Sequence, residues 1–90
     1  MSMEKINQLR QQIDGLDQEL VQLIEQRAQL VLQISQEKKA LGLDVHIPER
    51  EQQIVDSLYL RFGDKFNLQE LQDIYQAIFK ATVRMQKQSL

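Results

Sequence analysis

The sequence contains no cysteine. Disulfides, zinc–thiolate centres and thiol nucleophiles are therefore excluded. It has a single histidine, His46. One imidazole with no second ligand at metal spacing makes no metal site, and a catalytic triad or dyad has no material. His46 falls in a linker just before Pro48 and reads as a solvated side chain. No glycine-rich loop is present to cradle a phosphate. The longest apolar runs are a few residues, too short to cross a bilayer, and no signal peptide is visible. A soluble cytoplasmic protein is the expectation. Net charge is mild, -2 from 11 basic and 13 acidic residues. There is neither a basic run for nucleic acid nor an acidic tail for a disordered arm. Glutamine is frequent but scattered over polar faces, which is not a low-complexity tract. An enzyme made from this chain needs no cofactor that these residues could hold. It would work by binding, orientation and electrostatics.

Proline and glycine are scarce as well, one and three residues, and they punctuate the chain. Ninety residues make one small domain, residues 1–90. That is short for a self-sufficient core, so help from a partner chain is plausible on size alone. From Met3 to Leu41 the pattern is continuously helical, without proline and rich in good helix formers. Gly42 fits the position just past a helix end, with Lys38 and Lys39 in the last turn. Gly15 is the weak interior point, costing ~1 kcal/mol against alanine, and reads as tolerated or as a close helix crossing. Residues 43–47 form a linker. Pro48 suits the first position of a second helix, with Glu49 and Glu51 near its positive dipole end. That helix runs to Phe62 and is stopped by Gly63. Asn67 followed by Glu70 resembles a capping box and opens a third helix. It runs to Lys87 on a stripe of Leu71, Tyr75, Ile78, Thr82 and Met85. No strand-like alternation competes, so the fold class is all-α with three helices: long, short, medium.

The first helix has a geometric consequence. About 39 residues at ~1.5 Å each span ~58 Å. The other two helices are together shorter and cannot cover that length in a compact monomer. Helical patterns well beyond 25 residues usually mean intermolecular packing. An intertwined or antiparallel helical homodimer is the expectation.

Within that helix, Arg27 sits on a stripe that otherwise reads Ile13, Leu16, Leu20, Leu23, Val31 and Ile34. Positions recurring every ~3.6 residues share a face. The residues three and four away are Leu23, Ile24, Leu30 and Val31, none of them acidic. Its counter-charge comes either from elsewhere in the fold or from an anionic ligand. Lys38, eleven residues on, is rotated by only ~20°. It reads either as a helix-end lysine on the dipole or as a second cation of an anion pocket. Arg10 can pair with Asp14 at four residues. It lies ~25 Å from Arg27 along one helix, so one small ligand reaches both only if two long helices cross. Arg50 and Glu51 stand at the start of the second helix, on the side of Ile47 and Ile54. They form a solvated first turn or part of a pocket wall. Thr82 and Gln86 share a face of the third helix. The threonine hydroxyl can bond a carbonyl one turn back, and a glutamine near a helix end is commonly solvated. Taken together, these residues describe a pocket with several cations and one carboxylate. It suits a small dianion that also carries a hydroxyl.

Four segments carry a resemblance: LRQQIDGLDQELVQLIEQRAQL at 9–30, ISQEKKALGL at 34–43, PEREQQI at 48–54 and IFKATVRMQ at 78–86. The spacing I-D-x-L-D-x-x-L-x-x-L-I-x-x-R, followed eleven residues later by lysine, is specific. Joined to P-x-R-E and T-x-x-x-Q, it resembles the all-helical class of chorismate mutases over essentially the whole chain. The resemblance implies an interlocked dimer of three-helix chains with two equivalent sites. The implied reaction is the rearrangement of chorismate to prephenate, the entry to phenylalanine and tyrosine synthesis. It also implies roles. Arg27 would bind one substrate carboxylate, and Arg10 from the partner chain would hold the other. Arg50 would line the same region. Lys38 and Gln86 would donate to the ether oxygen of the breaking bond. Glu51 would accept from the ring hydroxyl, and Thr82 would make a polar contact near a carboxylate.

The residues fit such chemistry. A Claisen rearrangement is unimolecular and needs no acid, base or nucleophile; it needs the compact conformer held and charge stabilised as the ether bond breaks. Arginine forks suit carboxylates bidentately. Four cations against Glu51 leave about +3 facing a dianion. Gln86 does not titrate, so activity should not need an acidic medium. Some family members carry an acidic residue where this chain has Ile47, which leaves hydroxyl contacts to the backbone or to Glu51. The nearest rival is isochorismate pyruvate lyase, which shares the fold and cationic site; Glu51 and Thr82 argue for the mutase. A non-catalytic helical dimerisation module is the rival from another class. It would have no use for cations on apolar faces.

Overall fold

A computed structural model describes residues 2–44 and 47–89. His46, expected to be solvated, lies outside the described residues. Three helices follow in order: α1 from Ser2 to Ala40, α2 from Pro48 to Phe62 and α3 from Leu68 to Ser89. No strand occurs among the described residues, and the fold is all-α as expected. No helix among them is long and apolar enough to cross a membrane.

Each boundary has a local cause. At the end of α1, Gly42 adopts a positive φ of 74°, the left-handed conformation that glycine reaches without a Cβ penalty. The Leu43 amide then donates to the Lys38 carbonyl at 2.8 Å and the Gly42 amide to the Lys39 carbonyl at 3.1 Å. These two bonds make a Schellman stop. Pro48 opens α2, where its missing N–H costs nothing. The N-cap is Ile47, extended at φ -123° and ψ 100° and without a side-chain hydrogen bond. Gly63 ends α2, but at φ -73°, so conformational freedom is not what it supplies. A Cβ there would press on the Tyr59 carbonyl and come within 2.6 Å of its ring Cδ1; glycine is required for space. Asn67 and Glu70 form the expected reciprocal cap. The Glu70 amide donates to Asn67 Oδ1 at 2.8 Å, and the Asn67 amide to Glu70 Oε1 at 3.0 Å.

The chain divides into two compact units, one ending at Leu30 and the other beginning at Val31. The first is α1 alone. None of its described side chains is buried, and Leu9, Ile13, Leu16, Leu20 and Leu23 remain exposed. The second holds the end of α1 with α2 and α3, and α2 packs against α3. Its apolar centre is Val55 and Phe79. Half-buried Ile54, Leu58, Leu71, Tyr75, Ile78, Val83 and Met85 surround them. The rings of Tyr75 and Phe79, one helical turn apart, meet at 5.7 Å and tilt by 56°, a favourable aromatic geometry. Most of the stripe expected on α3 therefore faces this centre.

Candidate active site

The polar interior of the second unit is built from α3 and the last turns of α1. Thr82 and Gln86 are spaced by four residues and share one face of α3. Both are buried, at 7% exposure each. Thr82 Oγ1 donates to the Ile78 carbonyl at 2.8 Å, the back-bond open to a helical threonine. Its proton is thus committed to the helix. Donation to a carboxylate would require the hydroxyl to leave Ile78. Gln86 is not solvated as its place near a helix end suggested. Its Nε2 donates to Ser35 Oγ on α1, and Ser35 Oγ donates in turn to the Val31 carbonyl at 2.9 Å.

Ser35 is 1% exposed. Lys38 follows it by three residues, so the two are neighbours on the α1 surface. Lys38 is half-buried. The Gln86–Ser35 bond therefore brings a primary amide of α3 onto the face of α1 that carries an ammonium. Both groups donate hydrogen bonds and neither is a nucleophile. Held away from water, such donors stabilise negative charge that develops on a bound molecule.

Glu51 is half-buried in the first turns of α2. With Phe79 and Val83 it lines a groove of about 490 Å³ that also takes in Lys80, Arg84 and Lys87. Lys38, Thr82 and Gln86 do not line that groove. Arg50, one residue earlier, is exposed. Arg10 and Arg27 stand on the first unit, exposed and half-buried respectively. Of the seven residues selected from sequence, Gln86 is bonded to Ser35 on α1, three residues from Lys38 along that helix, and Thr82 lies one turn from Gln86 on α3. Sequence reasoning gave Ser35 no role. A small hydroxyl side chain one helical turn after Val31 and three residues before Lys38 is the available signal. Among the described residues, no group of three or more His, Asp and Glu side chains could hold a metal ion. No buried side-chain nitrogen or oxygen among them lacks a hydrogen-bond partner.

The chain is similar to known proteins over most of its length. The family model described as chorismate mutase type II matches residues 9–87. The bifunctional chorismate mutase/prephenate dehydratase of Aquifex aeolicus (strain VF5) is 34% identical over 90 residues, covering 94% of this chain and 25% of that protein. The chorismate mutase of Methanocaldococcus jannaschii is 34% identical over 55 residues, covering 61% of this chain and 56% of that one. The chain thus spans a quarter of the first relative and little more than half of the second. A solved structure of chorismate mutase (Form II) from Thermus thermophilus superposes with a TM-score of 0.86 at 26% identity, covering 92% of this chain and 94% of that one. With the match running through all three helices, the chain belongs to the chorismate mutase type II family.

Proposed function

We propose that the chain rearranges chorismate to prephenate, as a step toward phenylalanine and tyrosine. The observation that carries this reading is the buried Gln86 amide drawn onto the Lys38 face of α1, in a chain of this family. In the reaction the ether C–O bond breaks as a new C–C bond forms, and no proton changes hands. Negative charge gathers on the ether oxygen. Lys38 and Gln86 donate to it, and charge-assisted donors are the strong ones. Arg27 grips one carboxylate and Arg10 of a second chain the other, with Arg50 along the same region. Glu51 accepts from the ring hydroxyl. Thr82 stands near a carboxylate, as an acceptor or after rotation away from Ile78. The bound conformer is the reactive one, and holding it supplies most of the rate.

The working form is a homodimer of single-domain chains, intertwined through α1 and acting in the cytoplasm. Support for the dimer comes from the first unit. Leu16 and Leu20 are 63% and 55% exposed, with Leu9, Ile13 and Leu23 in the same condition. Taking the exposed parts of these side chains out of water contributes on the order of 1 kcal/mol each. A facing copy of the same helix provides that cover and carries Arg10 to the other chain's site.

Purified protein offered chorismate and isochorismate in separate reactions tests the proposal, with products identified. Prephenate from chorismate is the expected result. Pyruvate released from isochorismate, with chorismate untouched, would identify a lyase. Turnover of neither would leave a binding module.

A further inference from the structure

We infer that Ser35 is a positioning residue, fixing which end of the Gln86 amide faces the reacting bond. The inference rests on the reading that Gln86 donates to the ether oxygen. Ser35 is buried almost completely, in the last turns of α1, where alanine is the better helix former. Burying a hydroxyl is costly unless it is bonded, so packing alone favours alanine here. What the hydroxyl adds is direction. Its proton goes to the Val31 carbonyl at 2.9 Å, which leaves only lone pairs toward Gln86. The glutamine must then present its NH2 to Ser35, as it does. The flipped amide would set a carbonyl oxygen against a hydroxyl oxygen whose proton is committed elsewhere.

This matters because the terminal torsion of glutamine is broad and nearly two-fold, and its O and N ends are alike in shape but opposite in role. An amide nitrogen carries two hydrogens. One is taken by Ser35. The second remains on the same nitrogen, available to another acceptor; Lys38 follows Ser35 by three residues on α1. Without Ser35 the amide is free to turn its carbonyl to the ether oxygen, acceptor against acceptor. A turned amide binds substrate but fails to stabilise the breaking bond. The signature is therefore a loss in kcat rather than in KM.

A double-mutant cycle on the full chain tests this, measuring chorismate turnover and thermal midpoint for Ser35→Ala, Gln86→Ala and the double variant. Ser35→Ala is expected to lower kcat by about 3- to 10-fold, with KM within about twofold. Ser35→Thr, which keeps the hydroxyl, should recover most of the loss. In the Gln86→Ala background Ser35→Ala should cost nothing further, because the two groups act as one. Equal losses in both backgrounds would show a purely structural serine and overturn the inference. So would a wild-type kcat in Ser35→Ala while Gln86→Ala is impaired. If Gln86→Ala kept full turnover, the role given to the glutamine would fall first and the serine's role with it.

Discussion

Arg27 and Gln86 meet different physical demands, and their variants should fail differently. In the proposed reaction Arg27 is a permanent cation that anchors charge present throughout. Arg27→Ala should lower kcat/KM by on the order of 100-fold or more, the scale of a lost charge-assisted fork. Circular dichroism should show the helices intact; an unfolded variant would make Arg27 a member of a structural ion pair instead. The role proposed for Gln86 is to act on charge that develops later, at any pH, because an amide does not titrate. Gln86→Glu replaces it with a group ionised above about pH 4.3 in water, and burial raises that value. Only the protonated acid can donate. Turnover of Gln86→Glu should be weak at neutral pH and climb as pH falls through the carboxyl's range, while the parent stays level there. Parallel pH profiles for the two proteins would contradict the donor role. Arg27 is a candidate from sequence because a cation interrupts an apolar stripe, and the structure leaves it half-buried on the first unit. The bond from Gln86 to Ser35 was not legible there, because it joins residues 51 apart in the chain. A helical serine has several other fates open to it, including the back-bond it also makes.

At the scale of elements, all three helices could be read from punctuation. Gly42, Pro48 and the Asn67–Glu70 pair each leave a local mark whose physics involves only near neighbours. Gly63 was read correctly as a stop, but for a reason sequence does not carry. Its φ is ordinary, and what forbids a side chain is the Tyr59 carbonyl and ring one turn back. The start of α2 is the weak terminus. Ile47 occupies an N-cap with the right extended backbone and no side chain able to accept from the first turn. Aspartate is among the best residues there and isoleucine among the worst. Ile47→Asp should therefore stabilise the chain by about 1 kcal/mol, raising the thermal midpoint by a few degrees. An unchanged or lowered midpoint would mean that the isoleucine packing outweighs the missing cap.

For the whole molecule, the disproportion of the helices is the governing fact. α2 and α3, of 15 and 22 residues, together fall short of the 39 of α1. That disproportion could be counted in the sequence, and it predicts a chain that does not cover its own apolar stripe. The exposed leucines of the first unit fit that prediction. The proposed crossing of Arg10 to a second chain could not be counted in this way, because sequence periodicity gives a face and not a partner. The crossing can be tested by complementation. Arg10→Ala and Arg27→Ala chains, each inactive alone, should regain about one intact site per heterodimer when unfolded and refolded together, or about a quarter of the parent activity at equal mixing. No recovery in a mixture shown to contain heterodimers would mean that each site is made by one chain. One comparison tests the proposed reaction and its main anchor together: the rate of chorismate loss at neutral pH, with prephenate identified as product, for the parent protein and for Arg27→Ala. Prephenate from the parent and almost none from the variant is the expected result. Chorismate left intact by the parent, or rearranged equally by both, would contradict the proposal.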